Sequence, residues 1–441
     1  MKVINIIGAG LAGCEAAYLL ARNNIKVRLY EMKPNKKSKA HKSDNFAELV
    51  CSNSLKSNSL TNACGLLKEE MRKFGCLMLE AAEVSKVEAG QALAVDREKF
   101  SKYITEKIKY NENIEIIYNE VRDITEFINK NEIVIVATGP LTSDYLSYSL
   151  RKFLDEENLY FYDAAAPIVD ADSIDMSVAY RMDRYGSLGE GDYLNLPMNK
   201  QQYFNFYNAL INAESANRHD FDKLLLFDGC MPIEEMAKRG EKTLTFGMLK
   251  PVGLNNPKIQ EKNYAVVQLR AEDEEKKSYN LVGFQTSLKF SEQDRVFKMI
   301  PGLENAVFLR YGVMHKNTYI NGGKLLNSNF ALKENSNVYF AGQISGVEGY
   351  VESAASGMLV ALDIIAKENK DKFNLDNDTM MGSLSKYIST ENKDFQPMNA
   401  NFGIIKSLEE NIKDKKQKYE MYAKRSLEKI DVIRKNMNYF K

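Results

Sequence analysis

The chain has 441 residues, 44% hydrophobic and 27% charged, with a formal net charge of zero. That is the make-up of an ordinary globular protein with room for two or more domains, which excludes a disordered or fibrous chain and gives no global attraction to nucleic acid. Five scattered cysteines without a CxxC and three histidines argue against a zinc cluster or a disulfide framework; no apolar run reaches the length of a membrane span, and the N-terminus reads as a core strand, so a cytoplasmic protein is expected.

In chain order, the first unit is the most informative. An apolar strand over residues 3–7 runs into Gly8, Ala9, Gly10, Leu11, Ala12 and Gly13, a helical run over 14–21 follows, and a second strand over 26–30 ends on Glu31. This strand, GxGxxG turn, helix and acid-terminated strand form a dinucleotide-binding unit. Gly8 makes the tight turn, Gly10 lets a pyrophosphate approach the backbone, and Gly13 lets helix and strand pack closely. The helix N-terminus offers N–H groups to phosphates. Glu31 is expected to accept from a ribose and to repel a 2′-phosphate, so the tightly held nucleotide is FAD or NAD.

Next comes a basic loop, with Lys33, Lys36, Lys37, Lys39 and Lys42 in ten residues and no acid among them. Lys36, Lys37 and Lys39 are candidates for phosphate contacts on RNA; a solvated loop is the plainer reading. A strand over 132–136 ends at Gly139, and another over 337–341 ends at Gly342 and Gln343, followed by a long apolar helix over 351–367. Glycine turns after strands at the start, middle and end of the chain predict an α/β fold of the glutathione-reductase type: a two-domain, Rossmann-type FAD-binding fold carrying an inserted α/β domain. The boundaries expected are 1–184 and 280–441 for the two parts of the FAD-binding domain, the second with C-terminal helices, and 185–279 for the insertion. Residues 406–441 carry eleven basic and six acidic side chains and read as one or two amphipathic helices, a second basic surface.

Longer motifs sharpen this. ELVCSNSL at 48–55, ALAVDR at 92–97, YDAAAPIV at 162–169, GCMPIE at 229–234, GQISGVEGYVES at 342–353 and NANFG at 399–403 resemble, almost end to end, the folate- and FAD-dependent tRNA (uracil-5-)-methyltransferases, TrmFO, within the MnmG/TrmFO flavoprotein superfamily. The chain lacks the extended C-terminal helical domain typical of MnmG. The resemblance implies FAD, NADH or NADPH as reductant, and 5,10-methylenetetrahydrofolate as carbon donor. Its methylene passes by way of flavin N5 to C5 of a uridine in the T-loop of tRNA. The alternatives are the same chemistry on a ribosomal RNA uridine, or an MnmG-like modification of the wobble uridine.

Uracil C5 becomes nucleophilic once a thiolate adds at C6. Within the family motifs the resemblance assigns Cys230 as that nucleophile and Cys51 as its partner near the flavin; which of the two attacks uracil stays open. Cys14, Cys64 and Cys76 read as core. The resemblance implies that His315 covers the folate pterin by stacking. No metal ligand set and no membrane contact are expected, and the oligomeric state is open.

Overall fold

The computed structural model describes residues 3–440 apart from 39, 156–158, 187–188, 190, 217–230, 255–261, 394 and 411. Five parallel strands form the central sheet in the order Val338–Phe340, Ile133–Val136, Ile4–Ile7, Val27–Glu31, Ile114–Tyr118. Ile4–Ile7 is buried along its whole length, because helices cover both faces of such a sheet. The crossover from the first strand to the second is the helix Leu11–Arg22, and the long helix Tyr350–Glu368 packs against it. Gly357 makes that contact close: a Cβ there would lie 2.1 Å from the Ala12 carbonyl oxygen.

A second, antiparallel sheet has six strands in the order Tyr180–Arg181, Tyr193–Met198, Ala265–Ala271, Ser278–Leu281, Ile168–Asp170, Phe308–Arg310. Helices Lys200–Ile211, Ile233–Lys238 and Phe290–Phe297 contribute to a core of its own around Tyr203, Phe206, Phe284 and Phe297. This sheet therefore reaches past the 185–279 limits expected from the sequence, to Ile168 on one side and Arg310 on the other. The added strands are two or three residues long, too short to show a period of two. Leu159–Ala164 and Met314–Tyr319 pair antiparallel as the two connections between the units.

The basic C-terminus is one helix, Lys415–Asn436. It lies on the helix Ala63–Phe74, and the two are joined by a buried carboxylate. Glu70 accepts from Met380 N (2.6 Å), Met381 N (2.7 Å) and the Ser426 hydroxyl, so it caps the helix Met380–Ser389 and holds the C-terminal helix at once. Glu15 does the same work for the helix Leu77–Val84, accepting from Leu77 N and Met78 N at 3.0 Å. Burial pushes both carboxyls up to about 7, against the pull of these hydrogen bonds.

The shift at Glu70 has a definite sign. The folded state keeps the proton more tightly than the unfolded chain, so folding stability falls as pH rises from about 4.5 to about 7, by about 3 kcal/mol at most for this group. Glu70→Gln removes the titration. In urea unfolding at pH 5, 6 and 7, wild type should lose stability relative to Glu70→Gln across the series; parallel curves would clear Glu70 of that role.

Candidate active site

A cavity of about 330 Å³ opens at the C-terminal ends of the parallel strands. Its walls come from Gly10, Leu11 and Ala12, from Val50, Cys51 and Ser52, from Thr138 to Pro140, from Asn317, and from the start of the helix Tyr350–Glu368 with Gly342, Gln343 and Gly349 before it. A smaller cavity of about 90 Å³ adjoins it, lined by Gly8, Ala9, Gly10, Tyr30, Glu31 and Asn119. The two share Gly10, His41, Glu48, Ala137, Thr138 and Leu141, so they form one trench that passes the glycine turn.

The three glycines differ in what a side chain would meet. Gly8 has φ +101°, and a Cβ there would meet the Ala137 carbonyl at 2.6 Å. At Gly13 a Cβ would meet the Gly8 carbonyl at 1.9 Å, so packing forbids it. At Gly10 nothing of the protein comes nearer than 3.9 Å, although the residue lines both cavities. The space over Gly10 suits a ligand, at the N-terminus of a helix whose amide groups and dipole favour phosphate. Glu31 lines the smaller cavity, and its two carboxylate oxygens accept from Ala9 N (3.0 Å) and Lys33 N (2.9 Å). Gly139 (φ +65°) and Gly342 (φ +80°) line the larger cavity in left-handed conformations, and the Gln343 amide donates to Glu348. Gly349 brings the N-terminus of the buried helix Tyr350–Glu368 to the same cavity. This donor set and open glycine fit the pyrophosphate of a dinucleotide, and the larger cavity fits its second ring system.

Cys51 lies on the wall of the larger cavity, half-buried, on a segment tied at nearly every peptide group. Arg97 donates to the carbonyls of Leu49 (3.0 Å) and Cys51 (3.1 Å), and Arg310 donates to that of Val50. The Tyr350 hydroxyl oxygen accepts from Cys51 N (2.8 Å) and Ser52 N (3.1 Å). Burial, then the nearby Cys51, push the Tyr350 phenol far up, so it stays neutral. Arg97 also pairs with Glu272 at 2.7 Å. The other described thiols differ. Burial pushes Cys14 and Cys76 well up and takes Cys64 to about 12, which keeps them protonated in the core. Across the cavity Lys56 pairs with Glu352 at 3.0 Å, and Glu352 also accepts from Ala400 N.

The remaining candidate residues are scattered over the fold. Cys230 and Lys39 lie outside the described residues. Ile233, three residues past Cys230, donates its N–H to the carbonyl of Gln285, which lines the larger cavity. The backbone of His315 lies in the strand Met314–Tyr319 opposite Asp163, two residues before Asn317 on the cavity wall. Lys36 pairs with Glu120 and lies 5.4 Å from the centre of the Tyr145 ring; Lys37 pairs with Asp44 at 2.7 Å. Sequence reading missed Tyr350, Arg97, Arg310 and the Lys56–Glu352 pair. Tyr350, Glu352 and Arg97 stand inside the quoted motifs; their partners lie from 46 to 299 residues away, which spacing does not reveal.

A trench that runs from a GxGxxG turn to a helix N-terminus in a doubly connected α/β fold defines a dinucleotide-binding, flavoprotein-type protein. The comparisons with known proteins narrow this. Residues 3–372 match the family model described as "Glucose inhibited division protein A". The chain is 58% identical over 428 residues, 97% of this chain and 98% of the relative, to methylenetetrahydrofolate--tRNA-(uracil-5-)-methyltransferase TrmFO of Fusobacterium nucleatum. It is 56% identical to the protein of that name from Acetivibrio thermocellus (96% and 97% covered) and 51% identical to that of Bacillus licheniformis (99% and 100%). The chain belongs to the TrmFO family, within the glucose-inhibited division protein A family. Among solved structures, GidA of Aquifex aeolicus matches with TM-score 0.70 over 98% of this chain and 73% of that one, at 17% identity, which bears on the fold alone.

The glycine roles give opposite expectations for one kind of change. Gly10→Val should lose its bound dinucleotide and unfold at a temperature close to that of wild type stripped of nucleotide, because the new Cβ meets only ligand space. Gly13→Val should unfold at a markedly lower temperature, since a backbone shift must relieve a 1.9 Å clash. Melting curves and the nucleotide content of the purified proteins separate the two.

Proposed function

We propose that this protein binds FAD in the trench and methylates C5 of a uridine in tRNA, at the T-loop, with 5,10-methylenetetrahydrofolate as carbon donor and NADH or NADPH as reductant. The observation that carries this reading is Cys51 on the wall of the same cavity that Gly10 and the N-terminus of the helix Tyr350–Glu368 open onto. The names of the relatives support the substrate and the carbon donor. Bound there, FAD supplies the reducing electrons and carries the one-carbon unit.

The chain's own residues then have distinct tasks. The glycine turn and Glu31 hold the nucleotide half, and the amide groups at the start of the helix Tyr350–Glu368 stabilise negative charge at the far end of the trench. The Cys230 thiolate adds to uracil C6, which moves electron density to C5. Once C5 has taken up the methylene and lost its proton, and the methylene has been reduced to methyl with two electrons that bound FAD would supply, the thiolate leaves and the ring is restored. Cys51 works on the cofactor face, His315 covers the pterin, and the neutral Tyr350 phenol anchors the Cys51 segment. Sequential use of two thiols accounts for two cysteines in separate motifs.

Incubation of the yellow protein with NADH, labelled methylenetetrahydrofolate, and unmodified tRNA or ribosomal RNA transcripts, followed by nuclease mapping of the label, tests the function. Label in a tRNA uridine is expected; label in neither RNA would refute the assignment. Cys230→Ala should keep its flavin yet form no 5-methyluridine, and Cys51→Ala should also lose activity. Near wild-type turnover in Cys230→Ala would transfer the nucleophile's role elsewhere.

RNA contact must come from local patches, because the net charge is zero. The loop that carries Lys36 and Lys37, with Lys39 outside the described residues, is one candidate, and the first turns of the helix Lys415–Asn436, with Lys415, Lys416 and Lys418 exposed or half-exposed, are another. Charge reversal at Lys36, Lys37 and Lys39 should weaken tRNA binding, flatten its salt dependence and leave both flavin content and the choice of uridine unchanged. Equal affinity at low salt would leave the C-terminal helix as the binding surface.

A further inference from the structure

The segment around Cys51 gathers more positive charge than it balances. Three guanidinium groups bind residues 49–53. Arg97 and Arg310 hold the carbonyls of Leu49, Val50 and Cys51, and Arg270 donates to the Ser52 hydroxyl and the Asn53 side chain, both at 2.9 Å. Among the described residues, one carboxylate, Glu272, is paired within this cluster. A buried like-charged pair is costly unless an anion completes it. Burial and the nearby Arg97 press the Arg310 charge down, while Cys51 relieves it; at Arg97, burial opposes the charge and Glu272, Tyr350 and Cys51 favour it. The remaining ionisable groups on this cavity are His41, Glu48, Lys56, Glu348 and Glu352. Lys56 is matched to Glu352, and Glu48 lies 3.7 Å from Lys33.

We propose that Arg97 and Arg310 are positioning residues that hold Cys51 as a thiolate, so that the thiolate is the anion the cluster lacks. The inference rests on the reading that Cys51 works at the cofactor face. Three consecutive carbonyls pinned by two guanidiniums fix the backbone that presents Sγ, and the same two charges stabilise the anion left when the thiol proton goes to solvent. Cys14, Cys64 and Cys76 are buried, and burial outweighs the nearby Lys33 at Cys14 and Lys56 and Lys68 at Cys64, whereas Cys51 is half-buried on the cavity wall. Glu272 engages Arg97, Arg310 holds the Val50 carbonyl, and the Cys51 thiol when protonated donates to the Ala164 carbonyl at 3.9 Å, the contact given up when its proton goes to solvent.

The test reads thiol chemistry and not turnover. The FAD-loaded protein is treated with iodoacetamide from pH 5 to pH 9, and peptide mass spectrometry follows the alkylation rate at Cys51. The midpoint should lie below the value of about 8.5 typical of an unperturbed thiol. Arg310→Gln keeps an amide to donate to the Val50 carbonyl but removes the charge; its midpoint should rise by about one unit, cutting labelling at neutral pH about tenfold. Arg310→Lys keeps the charge and should hold the midpoint near wild type. A wild-type midpoint at or above about 8.5, or one unmoved in Arg310→Gln, overturns the proposal. The activity of Cys51→Ala is judged separately. If that variant methylates RNA normally while the charge dependence stands, the assigned role of Cys51 falls and the electrostatic device remains. If Cys51→Ala is dead while the wild-type midpoint is ordinary, the role of Cys51 stands and the electrostatic device falls.

Discussion

The close approach of the helix Leu11–Arg22 to its neighbours is the constraint from which the site follows. Three glycines surround its first turn: Gly13 faces the Gly8 carbonyl, Gly357 faces the Ala12 carbonyl, and Gly342 would place a Cβ 3.0 Å from that of Ala12. A glycine within a helix costs roughly 1 kcal/mol in backbone freedom. Here that cost is offset by contacts no other residue permits. Because the two helices meet through backbone and small side chains, both of their N-termini open onto the same trench. The void over Gly10 and the one below Gly349 are two ends of one arrangement.

The other half of the site has a different origin. The Cys51 segment runs over the nucleotide-binding unit, but much of the charge around it comes from the antiparallel sheet. Arg270 stands on the strand Ala265–Ala271, Glu272 immediately after it, and Arg310 on the edge strand Phe308–Arg310. The nucleotide unit supplies space, helix ends and Arg97, at the start of the helix Arg97–Lys109, and the second unit supplies the guanidinium groups of Arg270 and Arg310. Asn53 stitches them, accepting from Arg270 and donating to the Ala271 carbonyl at 3.1 Å. A shift between the units would move the charges relative to the sulfur, so the precision of the site depends on this seam.

What the sequence disclosed follows the range of the physics. The glycine turn was legible because each glycine answers a requirement met within a few residues, and the C-terminal helix because its composition and period are local. The limits of the second unit were not, since Ile168–Asp170 and Phe308–Arg310 find their partners only in the folded sheet. Nor did anything mark Glu15 and Glu70 as buried. Each serves amide groups at a helix start far along the chain, and an acidic residue on an amphipathic run otherwise reads as solvated. The ion pairs of the basic loop were out of reach in the same way: it has no acid within it, and Lys36 meets Glu120, from beyond the strand Ile114–Tyr118.

A chain of zero net charge whose reading calls for a polyanionic substrate must separate its charges in space. The helix Lys415–Asn436 starts on Asp414, whose carboxylate accepts from Gln417 N at 2.7 Å and meets the helix dipole, and Lys415, Lys416 and Lys418 follow directly. The lysines there are held by aromatic rings: Lys415 lies 5.6 Å from the centre of Tyr419 and Lys418 lies 5.8 Å from that of Tyr422. Phe402 stacks on both tyrosines, at 4.2 and 5.7 Å. Two residues earlier, Ala400 is bonded to Glu352 on the cavity wall, and Asn399 lines the cavity itself. The aromatic stack thus fastens a cationic helix end to the rim of the trench. With the dipole met by Asp414, the lysines beside it are free to face outward, where a phosphate chain running past the rim would meet them once its base had entered the cavity.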